Sequence, residues 1–436
     1  SYKDFATAVV RKGDATIEAV GGNLFGLTGG SSAVNVSGID VKTDTKLKSA
    51  KFAGKSTSVT IDGNVDVTLA GPTNAAGVLL SGSAIAMGGE AASTVTGNST
   101  LNIKSTHDEA NKISGMTVGV LGGGLAAASS GGNGGKAEVA VHTGDISITL
   151  GDETTPVLDL EHRKTLREET AKILTSLRAK KLDPLLEAIP DAEKNWAGAH
   201  VGTVGGSIVV ARMPSGVAGT VATASAESGD IVVNLKGGYN VATLGGGMTA
   251  ALGKLASEGT QAVSKVESTT INISGGDNVL VMSGGAAYAT ADTKGMNPPS
   301  SKVLSRSTVL GTATVNVTGD SADGIFGGGL AVDDTAASVS NAIVDVGGVV
   351  INVSDGTVFA ANPQPLGAFA KGLSDGAPSN GTYVTDTADL LAVGTTKAAI
   401  VGGGLASGAG AQATVGDEGV RINLTGGKVE GNVYAG

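Results

Sequence analysis

The sequence predicts an all-β fold, a parallel β-helix (β-solenoid) with an inserted α-helical hairpin. Three observations carry this prediction: a short Val/Ile strand pattern recurs, a glycine triplet recurs in step with it, and a glycine-free charged segment interrupts both. Neighbouring strand copies are mostly roughly 30 to 45 residues apart, a period typical of solenoids or propellers. The chain is therefore expected to be built by repetition.

The strand half of the repeat alternates apolar and polar residues, as a half-buried strand does. Its clearest copy is Thr314-Val315-Asn316-Val317-Thr318, which ends at Gly319. An asparagine recurs at its centre, and stacking of identical positions predicts a structural asparagine column at the surface. The asparagines assigned to this repeat are Asn35, Asn234, Asn272, Asn316, Asn352 and Asn423.

The glycine half follows the strand half by about ten residues in the later copies. Glycine can adopt backbone angles closed to other residues and lets another chain segment pass close by. The triplets are therefore predicted to be structural, with central residues Gly123, Gly246, Gly328 and Gly403.

The repeat length of about 40 residues, with short strands and no helix between them, suits two coils of a parallel β-helix. At ~4.8 Å per coil, some twenty coils would form a rod roughly 90 Å long. A propeller blade has a similar length, but we would expect more aromatic residues in its core. Only 3% of the 436 residues are aromatic, whereas 70 are glycine.

Composition also limits the partners and the chemistry. The net charge of -10 argues against nucleic acid, because phosphate binding needs a basic surface. The chain has no cysteine, which excludes thiolate catalysis, disulfides and cysteine-based metal sites. No apolar run approaches the ~20 residues of a membrane-spanning helix, so direct membrane insertion by this fragment is not expected.

Three regions follow from the pattern: N-terminal coils at residues 1–155, a helical insertion at 156–200, and C-terminal coils at 201–436, in one continuous solenoid. In the insertion Leu166, Ile173, Leu174 and Leu177 form an apolar stripe on a charged helix. The predicted hairpin packs this stripe on the rod or against itself. The chain stops inside another copy of the unit, so we expect a fragment truncated at its C-terminus.

Insertions in repeat proteins often carry the binding function. The basic residues of this insertion are accompanied by Glu161, Glu168 and Glu169, which favours an ordinary solvated helix face. The sharper hypothesis is a partner-binding face. Its residues would be Arg163, Lys164, Arg167, Lys172, Arg178, Lys180, Lys181 and Trp196.

Catalytic chemistry has weaker support. Asp320, Asp323, Asp333 and Asp334 cluster near one glycine triplet, and clustered carboxylates are what a polysaccharide lyase or hydrolase would need. Aspartate is also a common turn residue, and we favour that interpretation. The histidines His107, His142, His162 and His200 lack metal-ligand spacing and are expected at the surface. No catalytic residue, metal site or cofactor is predicted.

With both halves of the repeat in view, the chain resembles the passenger domains of bacterial autotransporters, of the glycine-rich β-helix repeat type. The similarity is clearest at Ile422-Asn423-Leu424-Thr425-Gly426-Gly427-Lys428-Val429-Glu430-Gly431-Asn432-Val433-Tyr434-Ala435-Gly436 and covers nearly the whole chain except residues around 156–200. The resemblance implies a right-handed parallel β-helix, exported by type V secretion from a Gram-negative cell. It also implies display at the outer membrane or release into the medium.

Such passengers are most often adhesins or self-association factors. The leading hypothesis is therefore a non-catalytic extracellular adhesion module that binds a host cell-surface protein or glycan, or another copy of itself. A carbohydrate-active β-helix enzyme and a passive structural stalk are the alternatives.

Overall fold

The computed structural model describes residues 5–10, 13–30, 32–35, 40–41, 50–51, 56–105, 115–130, 136–152, 198–213, 221–254, 259–292, 302–335, 340–360 and 398–436. Every regular element in these ranges is a β-strand. The predicted all-β class is therefore confirmed. The helical hairpin predicted within residues 156–200 lies outside the described residues as far as residue 197, and a strand begins at Ala199.

The described chain forms strands β1 to β34. In chain order they begin with β1 (Phe5–Val10), β2 (Ala15–Phe25), β3 (Ser32–Asn35), β4 (Asp40–Val41), β5 (Ala50–Lys51), β6 (Ser56–Ile61), β7 (Val65–Leu79), β8 (Ser83–Ala86), β9 (Gly89–Val95), β10 (Ser99–Ser105), β11 (Thr117–Leu121) and β12 (Leu125–Ser129). They continue with β13 (Lys136–Thr143), β14 (Ile146–Leu150), β15 (Ala199–Val204), β16 (Ile208–Arg212), β17 (Val221–Ser228), β18 (Ile231–Leu235), β19 (Tyr239–Leu244), β20 (Met248–Lys254), β21 (Gly259–Val266), β22 (Thr269–Ile273), β23 (Asp277–Met282) and β24 (Ala286–Asp292). They end with β25 (Val303–Val317), β26 (Ser321–Phe326), β27 (Leu330–Asp333), β28 (Ser340–Val353), β29 (Thr357–Phe359), β30 (Ala398–Val401), β31 (Leu405–Ser407), β32 (Ala411–Leu424), β33 (Lys428–Glu430) and β34 (Asn432–Tyr434).

These strands form a 24-stranded sheet, an 8-stranded sheet and a small two-stranded sheet. The two-stranded sheet is the antiparallel pair β4 and β5. In both large sheets neighbouring strands run parallel, as in the pairs β18–β22 and β20–β24. Long parallel sheets are therefore the main feature of the described chain.

One repeat of the sequence forms one layer of the stack. In the layer β21 to β24, the strands β21, β22 and β23 occupy the first, second and third positions of the large sheet, and β24 occupies the fourth position, in the smaller sheet. In the next layer β25 pairs with both β21 and β22, while β26 pairs with β23 and β27 with β24. Each strand thus stacks on its equivalent in the adjacent repeat.

The predicted two coils per repeat, and hence some twenty coils, are wrong. Asn272 lies directly beside Asn234, which is 38 residues earlier, and Asn316 follows 44 residues later. Consecutive repeats are therefore direct neighbours. Eight strands of the smaller sheet extend over roughly 35 Å at about 4.8 Å per strand.

The inner core is built from small apolar side chains. In each strand alternate residues point inward, so Val315 and Val317 of β25 are fully buried while Asn316 between them is not. The described inner cluster consists of Ala, Val, Ile and Leu with Met213, and it contains no aromatic residue. This packing explains how a chain with so few aromatic residues still buries a continuous core.

Candidate functional site

The asparagine column is a continuous chain of side-chain hydrogen bonds along the second-position strands. Asn272 Nδ2 donates to Asn234 Oδ1 at 2.9 Å, and Asn316 Nδ2 donates to Asn272 Oδ1 at 2.8 Å. The pattern continues from Asn352 to Asn316 at 2.8 Å and from Asn423 to Asn352 at 2.7 Å. These amides therefore stabilise contacts between layers, and the recurrence of asparagine in the strand half of the repeat reflects that role.

Asn35 does not lie in this column. It belongs to β3 in the smaller sheet, where it is in register with Ala86. Its Nδ2 donates to the backbone oxygen of Glu90 at 2.9 Å. The local sequence around Asn35 resembles the strand half of the repeat, but a strand's position in its layer is set by its pairing partners and not by a short motif.

The glycine triplets form the corner between the third and fourth positions. The backbone N–H of Gly246 donates to the oxygen of Gly284 at 2.9 Å. A Cβ added at Gly246 would lie 2.8 Å from that oxygen, and one added at Gly328 would lie 2.5 Å from the backbone nitrogen of Gly404. Adjacent layers approach closely at these positions, so an added side-chain atom at Gly246 or Gly328 would require the neighbouring layer to shift.

A second glycine-rich column runs through the middle of the third-position strands. Gly119, Gly202 and Gly324 all have positive φ there, near 70°. Ala242 and Leu280 occupy the same position in the two intervening layers, with φ of 58° and 61°. Left-handed backbone is unfavourable for residues with a Cβ, so these two layers hold a local strain that the glycine layers avoid.

Both long insertions adjoin the third-position strands. Residues 153–197 separate β14 from β15. Residues 361–397 separate β29 from β30, and these two strands pair with successive parts of β26. Both stretches therefore adjoin the same column of strands.

The outward side chains at the third and fourth positions form a second apolar cluster, which we call the outer face. Its largest members are Tyr239, Met282, Tyr288 and Phe326. They come from β19, β23, β24 and β26, and the described residues that pack against the cluster come from the same two positions or directly adjoin them. The outer face thus contains the aromatic side chains that the described inner core lacks.

Two carboxylates also lie on the outer face, in adjacent layers. Asp277 is in register with Tyr239, and Asp323 is in register with Val279. Both are buried. Ser321 Oγ donates to Asp277 Oδ1 at 2.7 Å, so this serine hydroxyl is engaged with a carboxylate.

The other aspartates of the predicted cluster serve local structure. Asp320 has φ of 50°, and its Oδ2 accepts the N–H of Gly276 at 2.8 Å. Asp333 Oδ1 accepts hydrogen bonds from Ser340 Oγ at 2.6 Å and from the N–H of Thr335 at 3.0 Å. Burial raises the pKa of the Asp333 carboxyl, although these hydrogen bonds oppose the shift.

Tyr288 links the same region to Asp334, because its hydroxyl donates to Asp334 Oδ2 at 3.3 Å. Burial, followed by the nearby Asp334 carboxylate, raises the pKa of Tyr288. Asp320, Asp323, Asp333 and Asp334 therefore divide among a turn, the outer face and the end of β27.

His200 is not at the surface, as the sequence analysis expected, but is only 2% exposed. It lies in an inward polar column between Thr117 and Asn240. Burial lowers the pKa of His200 to about 4, so the imidazole is neutral near pH 7. The expectation was wrong because a lone histidine in a strand has no pattern that indicates which side of the sheet it faces.

The predicted partner-binding residues Arg163, Lys164, Arg167, Lys172, Arg178, Lys180, Lys181 and Trp196 lie outside the described residues, as do His107 and His162. In the part of the chain that the structure does describe, no group of three or more His, Asp or Glu is arranged to hold a metal ion. Among the same residues there is no helix with the length and apolar character of a membrane span.

Comparison with known proteins adds no identification. No protein-family model, curated protein or solved structure gives a significant match to this chain.

Sequence reasoning missed the outer face. Its members are scattered singly through different repeats, for example Tyr239, Met282 and Phe326. The available signal was that residues such as Phe326 stand immediately before a glycine triplet. That position faces away from the inner core, but its orientation is known only from the strand pairing.

Proposed function

We propose that the chain is a right-handed parallel β-helix with a helical insertion between residues 156 and 197, and that it acts as a non-catalytic adhesion module outside the cell. Its partner would be a host cell-surface protein or glycan, or a second copy of the chain. The resemblance of its repeats to autotransporter passengers supports export to the surface of a Gram-negative cell, with display there or release.

The observation that carries the proposal is that the second and third strand positions of each layer have different roles. The polar side chains of the second position hold layers together, as the column from Asn234 to Asn423 does. Both long insertions adjoin the third position. A regular scaffold that presents irregular segments along one column is the arrangement expected of a repeat protein that binds through its insertions.

Attachment of the purified chain to host cells tests this function. Lys164, Arg167 and Lys172 replaced together by Gln should reduce attachment or self-association at least about tenfold, because several charge contacts of about 0.5 kcal/mol or more would be lost. The matched control replaces Lys136, Lys265 and Lys428, which lie on the described strands, by Gln. Equal attachment of both variants would remove the insertion from the proposal, and no attachment by the unaltered chain would favour a passive stalk.

A carbohydrate-active enzyme is the second candidate, because Asp277 and Asp323 lie on adjacent layers of one face. Polysaccharide lyases and hydrolases need carboxylates that reach the substrate, whereas both of these are buried. Incubation with a panel of polysaccharides separates the candidates. Release of new chain ends that is lost in Asp277→Asn or Asp323→Asn would replace the adhesion proposal.

A further inference from the structure

The corner between the second and third positions is turned by residues with left-handed backbone. Gly276, Asp320, Gly356 and Gly427 stand there in successive layers, with φ of 81°, 50°, 80° and 70°. The backbone at this corner is bonded from layer to layer, since the N–H of Lys428 donates to the oxygen of Gly356 at 2.8 Å. The amides at this corner therefore differ mainly in the acceptors that they find.

The amide of Gly356 has a different kind of acceptor from the amide of Gly276. The N–H of Gly276 donates across layers to Asp320 Oδ2 at 2.8 Å. The N–H of Gly356 donates to Oδ1 of the residue immediately before it, Asp355, at 2.7 Å. Because Oδ1 is bonded to Cγ, this contact places the Gly356 nitrogen beside the carboxyl carbon of Asp355.

A nitrogen in this position can close a five-membered ring with the aspartate side chain. After the nitrogen gives up its proton to the solvent, it attacks Cγ of the protonated carboxyl group. A C–N bond forms, the C–OH bond breaks and water leaves, which gives a succinimide. Water then adds to one of the two ring carbonyls. Opening at the main-chain carbonyl gives isoaspartate, in which the peptide chain runs through Cγ. Holding the reacting atoms together favours the first step, and glycine has no Cβ to obstruct it.

The part of the chain that the structure describes contains three Asp–Gly pairs, which begin at Asp62, Asp323 and Asp355. The carboxylate of Asp62 accepts a hydrogen bond from Thr96 Oγ1 of a neighbouring layer at 3.0 Å. Asp323 is only 4% exposed and lies within β26, which is paired on both sides. Asp355 is exposed, and its carboxylate already contacts the nitrogen of its own glycine. The fold therefore favours the reaction at Asp355.

We propose that Asp355 and Gly356 form a modification site, at which the folded chain converts Asp355 to isoaspartate through a succinimide. The reaction needs only water, and it is faster at this site than at the pairs that begin at Asp62 and Asp323. This modification goes beyond the proposed adhesion function and is independent of whether the chain binds a cell surface.

The conversion would alter the stack at a tightly packed corner. Isoaspartate adds one carbon atom to the main chain between Asp355 and Gly356. Space there is limited, because a Cβ added at Gly356 would lie 2.6 Å from the backbone oxygen of Asp320. That oxygen accepts the N–H of Thr357 at 2.7 Å. We therefore expect the lengthened chain to weaken the hydrogen bond between these two layers.

Incubation of the full folded chain in water labelled with oxygen-18 tests the proposal. Each succinimide that opens takes one oxygen atom from the solvent, so the label marks every residue that has reacted. Peptide mapping by mass spectrometry locates the label, and electron-transfer fragmentation identifies isoaspartate. Because only Asp355 is both exposed and held against its glycine nitrogen, its labelling should be at least about tenfold faster than that of Asp323 and about threefold faster than that of Asp62.

The matched control is the same incubation in concentrated denaturant, where the three pairs lose their different surroundings and should be labelled at similar rates. Asp355→Glu is the control variant, because its longer side chain would have to close a six-membered ring. It should abolish labelling at this position and leave that of Asp62 unchanged. Equal labelling of the three pairs in the folded chain, faster labelling at Asp62 or Asp323, no label at Asp355, or the same ranking in folded and denatured chains would each overturn the proposal.

Discussion

The inner core and the outer face are both buried and apolar, but they are built differently. The described inner core repeats small aliphatic side chains layer after layer and contains no aromatic residue. The outer face contains Tyr239, Tyr288 and Phe326, and none of them stands directly beside another aromatic residue in its column. Repetition is what a stack requires of its interior. Side chains that vary from layer to layer are not required by stacking, so the difference separates the repeated scaffold from positions that are specific to one layer.

The largest expected effect comes from truncating the outer face. Phe326→Ala should lower the free energy of unfolding by about 3–5 kcal/mol, the usual cost of removing a fully buried phenylalanine. Denaturant unfolding of the variant and the unaltered chain measures the difference. A loss below about 1 kcal/mol would show that the outer face is not packed as a core, and the comparison with the inner core would fail.

Acid should destabilise the folded chain because it protonates His200, which lies in the inward polar column between Thr117 and Asn240. The pKa of His200 is about 4 in the folded chain, against an ordinary value of 6.5. Below pH 6.5 His200 binds a proton in the unfolded chain, whereas in the folded chain it binds one only near pH 4. Stability is therefore complete above pH 6.5 and decreases as the pH falls to 4, by about 3 kcal/mol at 1.36 kcal/mol per pKa unit.

His200→Asn should remove most of this pH dependence. The new amide would lie beside Asn240, whose Nδ2 already donates to Asn278 at 2.8 Å. The control is His142→Asn, at an imidazole that is 50% exposed. Unfolding free energies measured at pH 7 and pH 4.5 give the answer, and an unchanged pH dependence in His200→Asn would assign the acid sensitivity to other groups.

An added atom at the close approaches of the glycine corner should be destabilising. Gly328→Ala would place a Cβ 2.5 Å from the nitrogen of Gly404, and such overpacking typically costs about 1–3 kcal/mol. At Gly13 an added Cβ meets nothing within 4 Å, so Gly13→Ala should change stability by less than about 0.5 kcal/mol. Thermal or denaturant unfolding compares them, and equal effects would contradict a close approach at the corner.

Much of the scaffold could be predicted from the sequence, because stacking forces repetition. The period-two strands, the column from Asn234 to Asn423 and the role of Gly246 and Gly328 all follow from identical positions recurring at similar spacing. The number of coils per repeat could not be predicted this way. A period of about 40 residues is compatible with one long layer or two short ones, and only the strand register distinguishes them.

The outer face could not be predicted for a different reason. Its residues do not recur, so they give no period, and alternation within one strand does not say which side is inside. Leu280 illustrates this limit: the sequence shows an ordinary apolar residue, whereas the structure places it where other layers need glycine.

The smallest expected effects come from the two strained positions, and their signs should differ. Ala242→Gly removes left-handed strain of about 1–2 kcal/mol while increasing the freedom of the unfolded chain by about 0.5–1 kcal/mol, so stability should rise slightly. Leu280→Gly gives the same relief but removes a buried side chain worth about 1.5–3 kcal/mol, so stability should fall. Paired unfolding measurements compare the two variants directly. If Leu280→Gly were also stabilising, the leucine would gain nothing from its burial in the outer-face cluster.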